Sequence, residues 1–293
     1  MISRPVSSRA RLIATTFEQK ENGSWFFSVG GSNASFYTEL FSQLHSDIMS
    51  KSNTGWRISK SGKARYAFFP NLDVDERETI QNFQSDYRVM PVLELNDNIR
   101  PFFTDELDAC LALDLNKERP EAAERTCAGE LEYEAKYEKD EDAINELSKL
   151  LANALTRVPP RCDADQCCLT YIPPTKDKAF HLPKILAEKV AAILKDGFHD
   201  FDTCALVHAQ LTVPKSSLKN LSLEEKVEVW EHIVENKSVE LTQSVEDCAV
   251  YVIDDLYQSG VTMWSFAKYL KSVGAAAVLG CVAVKSLRDT DNQ

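Results

Sequence analysis

Asp254 and Asp255 stand side by side after a short apolar run, Val250-Tyr251-Val252-Ile253, and two residues before Gln258-Ser259-Gly260-Val261-Thr262. Adjacent carboxylates offer acceptors for vicinal hydroxyls and hard oxygen ligands for a cation such as Mg²⁺. A small glycine loop opening a helix presents backbone N–H groups and a positive dipole end to an anion. The Ser259 and Thr262 hydroxyls can donate to the same oxygens. Acid pair and loop together fit a phosphorylated sugar.

These groups need a strand and a helix to hold them. An apolar run of four residues ending in charge predicts a buried parallel strand that surfaces at its carboxyl end. In open α/β sheets that end is where ligands bind. The two acids are expected at the strand end, and a helix is expected over Met263–Ser272, closed by Gly274.

Upstream, Ile144, Leu147, Leu150, Leu151 and Ala154 predict an amphipathic helix, Leu169–Ile172 a strand, and Leu182–Leu194 a helix. Cys204–Ala209 reads as a further strand. Ser222-Leu223-Glu224-Glu225 reads as a capping box that opens another helix, and Ala276–Val284 as a last apolar strand. Strands alternating with helices predict a mostly parallel sheet, the α/β class. The first third is expected to be an α+β module. It has strands at Arg11–Glu18 and Ser24–Val29 joined by a turn at Glu21-Asn22-Gly23, and further strands at Ala64–Phe69 and Val89–Leu95. Its helices are expected around Phe36–Ile48, Glu76–Phe83 and Thr104–Leu113. The charged stretch Asn116–Glu124 separates the two styles, which predicts a boundary near residue 125, with domains at 1–125 and 126–293.

Composition bounds the partners. The 293 residues carry a net charge of −12, which disfavours nonspecific contact with a nucleic-acid backbone. No apolar run approaches the roughly 20 residues of a membrane span, and the chain is expected to be cytoplasmic with reduced cysteines. Eight cysteines are present without a CxxC pair; Cys162, Cys167 and Cys168 cluster in sequence, which falls short of four convergent zinc ligands. His181, His199, His208 and His232 each read singly as surface or core histidines.

Val250–Thr262 resembles the phosphoribosyl-diphosphate (PRPP) binding motif of type I phosphoribosyltransferases: four apolar residues, two acids, two further residues and a hydroxyl-glycine loop. Gln258 departs from a position that usually carries a small hydroxyl residue. The resemblance implies a type I phosphoribosyltransferase-like sheet flanked by helices. In it, Tyr257, Gln258, Ser259, Gly260, Val261 and Thr262 surround the 5′-phosphate. Asp254 and Asp255 would stabilise the cationic ribose as pyrophosphate leaves. They would also hold Mg²⁺, directly or through ribose hydroxyls or water.

A narrower resemblance is to the competence-protein ComF family. It is carried by Gly129-Glu130-Leu131-Glu132-Tyr133 with Ala135-Lys136-Tyr137, by Leu169–Pro174, Lys178-Ala179-Phe180 and Leu221–Lys226, and by Asp254–Tyr257. It covers about residues 129–288. The family's zinc ribbon has no counterpart, and Lys178-Ala179-Phe180-His181-Leu182 stands where it carries Arg-Gly-Phe-Asn-Gln. The resemblance implies a pyrophosphate loop at Pro173, Pro174, Thr175 and Lys176 with Lys178 nearby, and a mobile flap at Leu211–Ser222.

Three functions follow as expectations. The first is transfer of phosphoribose from PRPP, with Mg²⁺, to an acceptor. The second is PRPP or nucleotide sensing by an accessory protein in DNA metabolism or uptake. The third is a nucleotide-depleting effector. Residues 1–125 would serve dimerisation or a protein partner.

Overall fold

The computed structural model describes residues 10–11, 14–31, 34–88, 92–93, 101–104, 106–117, 123–156, 166–174, 179–197, 204–212 and 221–286. Residues 10–92 form one compact unit, and the chain from residue 93 onward forms another.

In the first unit, β1 (Ala14–Gln19) and β2 (Trp25–Gly30) pair antiparallel, their connection passing through Gly23 at φ +82°. After α1 (Ala34–Leu44) and α2 (Ser46–Ser50), β3 (Arg57–Ile58) and β4 (Ala64–Phe69) complete a four-stranded sheet of order β1-β2-β4-β3. Helix α3 (Val74–Arg88) follows. Phe27, on the covered face of the sheet, meets Phe41 of α1, Phe83 of α3 and Trp56 in edge-on and tilted contacts. This cluster of rings is the core of the unit.

The second unit is the expected α/β structure. Its strands are β5 (Ala109–Leu115), β6 (Gln166–Tyr171), β7 (Ala205–Leu206), β10 (Cys248–Tyr257) and β11 (Ala277–Lys285). They pair in parallel in the order β5-β11-β10-β6-β7. Two short strands, β8 (Ala209–Leu211) and β9 (Val239–Leu241), form a separate antiparallel pair. Helices α4 (Cys127–Tyr133), α5 (Glu141–Thr156) and α6 (Leu182–Gly197) cover one face of the parallel sheet. Helix α8 (Val261–Ser272) packs on β11 and on α7 (Leu223–Glu235), whose Trp230 meets Phe266. Ser222 and Glu225 close the expected capping box at the start of α7.

Residues 104–113 were expected to be helical; Ala109–Leu115 is instead a strand paired with β11. The run Ala-Cys-Leu-Ala-Leu is apolar on every side. Periodicity cannot separate a helix from a strand buried on both faces, and here the vacant edge of β11 decides for the strand. This strand belongs to the second unit, N-terminal to the boundary expected near residue 125. The strand expected at Val89–Leu95 is described only at Val92–Leu93. No helix among the described residues is long and apolar enough to cross a membrane.

Candidate functional site

The parallel order has a switch point between β6 and β10. The chain moves outward from β6 to β7 on one side, then returns to lay β10 and β11 on the other. A crevice opens at such a point beyond the carboxyl ends of the strands. Proline ends the pairing here. Ile172 N–H donates to the Ile253 carbonyl at 3.1 Å, but Pro173 and Pro174 have no N–H, so the β6–β10 ladder ends. Strand β10 does not end with this ladder. It continues to Tyr257 because β11 keeps pairing with it, Asp254 opposite Val282 and Tyr257 opposite Lys285. The acid pair thus runs past the end of β6 while held on its other side.

Successive strand residues face opposite sides. Tyr251 lies against Ala154 and Leu155 of α5, which sets the odd-numbered face. Asp255 shares that side, and its Oδ2 lies 3.0 Å from Lys136 Nζ. The same ammonium lies 3.1 Å from Oε1 of the buried Glu132. Asp254 lies within the field of buried Cys110, whose Sγ lies close to Gly280 under Met263 of α8. Burial, reinforced by the negative charge of Asp255, pushes the Asp254 carboxyl well above its ordinary range; the Asp255 N–H, 2.9 Å from Asp254 Oδ1, works against this. Burial also raises Glu132. For Lys136, burial pulls downward, but the Asp255 and Glu132 carboxylates outweigh it and hold the ammonium above its usual range.

Lys136 reaches the acids from a π-helical turn, Glu134–Glu138, that continues α4. Thr126 caps α4 by accepting from Gly129 N–H and donates to the Leu115 carbonyl, anchoring the helix to the end of β5. Gly129 is required there: a Cβ would stand 2.2 Å from the Asn116 carbonyl oxygen. Arg125 stacks on Tyr133, which in turn meets Tyr137, an exposed ring.

The hydroxyl-glycine loop follows the acids. Gly260, at φ +90°, caps α8, two residues earlier than a helix from Met263 required. The ring of Tyr257 is buried beneath the loop, and Trp264 Nε1 donates to its hydroxyl at 3.3 Å. Ser259 Oγ accepts weakly from Val261 N–H at 3.4 Å. Tyr257, Ser259, Gly260 and Val261 are buried, whereas Gln258 and Thr262 are part-exposed. Pro174 lies at the end of β6. Thr175, Lys176, Lys178 and most of the expected flap, with Lys215 and Lys219, lie outside the described residues.

The acid pair alone does not build a direct Mg²⁺ site. An ammonium already occupies Asp255, and no cluster of three His, Cys, Asp or Glu ligands occurs among the described residues.

Three features were not singled out from sequence. Glu132 and Lys136 have the i, i+4 spacing of a helical ion pair, but their link to Asp255 leaves no local signal. Lys285 is a fully buried lysine opposite Tyr257. Tyr171, the last residue of β6, gathers two of the histidines read singly: its hydroxyl lies 3.3 Å from His208 Nδ1, and its ring meets His181 and His208.

No protein-family model matches this chain, and no curated protein matches it. Among solved structures, it is similar to a hypoxanthine phosphoribosyltransferase from Staphylococcus aureus at 16% identity and TM-score 0.30, over 51% of this chain and 76% of that one. A hypoxanthine-guanine phosphoribosyltransferase from Bacillus anthracis shows 14% identity and TM-score 0.30, over 49% and 66%. The hypoxanthine phosphoribosyltransferase of Trypanosoma cruzi shows 14% identity and TM-score 0.28, over 50% and 64%.

Proposed function

We propose that the second unit binds a 5-phosphoribosyl ligand, PRPP or a nucleotide, and transfers phosphoribose to an acceptor with release of pyrophosphate. One observation carries this reading: the acid pair overhangs the switch point on a strand that turns through Ser259-Gly260 into α8. The start of α8 supports a phosphate there, with donors from its first N–H groups and from Thr262. The acids support ribose hydroxyls. In the transfer, a lone pair of the acceptor forms the bond to the anomeric carbon, the carbon–oxygen bond to pyrophosphate breaks with its electrons, and the acceptor's proton passes to solvent. Positive charge on the ring at that moment is stabilised by nearby carboxylates. Pro173, Pro174, Thr175 and Lys176, with Lys178, are proposed to meet that pyrophosphate.

The narrower ComF-like reading is supported by the Gly129–Tyr137 block, which forms the helix that carries Lys136 to the acids. Residues 1–125 are proposed to serve a protein partner or dimerisation. A second reading, ligand sensing without transfer, is favoured by the internal counter-ion on Asp255, which takes part of its charge away from the ribose.

Calorimetry with PRPP and Mg²⁺ tests the ligand, wild type beside Asp255→Asn. Heat from wild type and its loss in the variant are expected; no heat from wild type would remove the reading. Pyrophosphate release across a panel of bases and amines separates transfer from sensing.

A further inference from the structure

At the amino ends of the same strands, opposite the acid pair, the fold assembles four cysteines that sequence left scattered. Cys168 pairs in register with Ala205, so Cys167 and Cys204 are neighbours one step earlier on adjacent parallel segments. Neighbouring strands lie about 4.8 Å apart, within the Cα separation a disulfide spans. That register sets the two thiols side by side, and both are part-exposed. On the opposite face, Cys168 lies near Cys248, but both are buried. The four sulfurs therefore form two dithiols rather than one ligand set, in keeping with the lack of a metal cluster among the described residues.

We propose that Cys167 and Cys204 are a redox modification site, a dithiol that a peroxide closes reversibly to a disulfide. The Cys167 thiolate attacks one peroxide oxygen, the O–O bond breaks, and Cys167 becomes a sulfenic acid. Hydroxide leaves and takes up the thiol proton as water. The Cys204 thiol then attacks that sulfur, the S–O bond breaks, and a second water departs. Two thiols are oxidised by two electrons and one peroxide is reduced to two waters. A small dithiol reductant reverses the step by thiol–disulfide exchange.

The roles of the two sulfurs differ. The hydrogen bond from Cys204 holds the Cys167 thiol below its usual range, and the same contact, with burial, raises Cys204. Cys167 is therefore the attacking sulfur and Cys204 the resolving one. The buried pair is shielded, and burial pushes Cys168 up to about 12. Cys110, Cys248 and Cys281 are buried as well, while Cys127 is exposed but has no sulfur neighbour among the described residues.

The experiment uses the reduced full chain, stoichiometric hydrogen peroxide and non-reducing peptide mapping. A Cys167–Cys204 link that dithiothreitol reverses is expected. Cys204→Ser should instead accumulate a sulfenic acid at Cys167 that a dione probe captures, and Cys167→Ser should show neither. The proposal is overturned if Cys162 or Cys127 is oxidised first while Cys167 and Cys204 remain alkylatable. A second measurement needs no variant. Across a pH series, Cys167 should be the cysteine of the wild-type chain that iodoacetamide alkylates fastest, with a midpoint below an ordinary thiol. A slower Cys167, or an ordinary midpoint, also overturns it.

Discussion

Lys136 Nζ lies 3.0 Å from Asp255 Oδ2, and Glu132 Oε1 lies 3.1 Å from the same ammonium on its other side. The second aspartate of the pair therefore has a counter-ion supplied by a helix that stands far away in sequence. A phosphoribosyl ligand reaching Asp255 must share it with that ammonium.

Lys136→Met should destabilise the second unit by about 2 kcal/mol, because it leaves two mostly buried carboxylates facing one another without a cation. Urea denaturation at neutral pH measures this. The deficit should shrink in acid, as Glu132, whose pKa burial raises, takes up a proton. An unchanged midpoint would mean that the ion pair contributes nothing to the fold.

Asp254→Asn should raise stability at neutral pH while weakening ligand binding. The folded-state pKa of Asp254 is raised above its unfolded value, chiefly by burial. Between the two values the folded state holds the proton more tightly, so stability falls as pH rises through that window. The wild-type chain should therefore lose stability with rising pH above the ordinary aspartate value of 3.8, and the variant should lack that component. Thermal melts from pH 4 upward, compared pairwise, give the difference directly.

Much of this architecture was legible because each element announces itself locally. The run Val250–Ile253 could only be a buried strand, and Ser222 with Glu225 marked the start of α7. What escaped was set by pairing across the chain. Leu111 and its neighbours are apolar on all sides, so only the edge of β11 makes them a strand. The reach of β10 to Tyr257 likewise depends on Lys285 lying opposite. Within the site, the acids and the loop were visible as a contiguous motif. Lys136 and His208 were not, and neither was the Cys167–Cys204 pair at the other end of the strands, since each acquires its role from a partner distant in sequence.

Ser222→Ala should cost about 1 kcal/mol, since Ser222 Oγ accepts from Glu225 N–H and the Glu225 carboxylate returns a bond to Ser222 N–H. Denaturant titration of the single variant measures it. Glu225→Ala should cost less, because it removes only the returning bond, whereas equal losses would mean that the box acts as one unit.

The sharpest test of the loop is a double substitution. A Cβ on Gly260 would stand 2.2 Å from the Tyr257 hydroxyl, and Gly260 is held at φ +90°, a conformation that L side chains rarely adopt. Gly260→Ala therefore meets two separate costs: about 1–2 kcal/mol for the backbone and about 1–3 kcal/mol for the displaced ring. Tyr257→Phe alone removes the hydroxyl that accepts from Trp264 Nε1 and should cost about 1 kcal/mol. Combined with Gly260→Ala, it relieves part of the clash, since the ring carbon Cζ would still lie 2.6 Å from the new Cβ. The double variant should thus be less destabilised than the sum of the singles, yet remain below Tyr257→Phe by at least the backbone term. Denaturation of all four proteins closes the cycle. Strict additivity would show that Tyr257 does not fix the loop, and full recovery would show that the left-handed turn at Gly260 carries no cost.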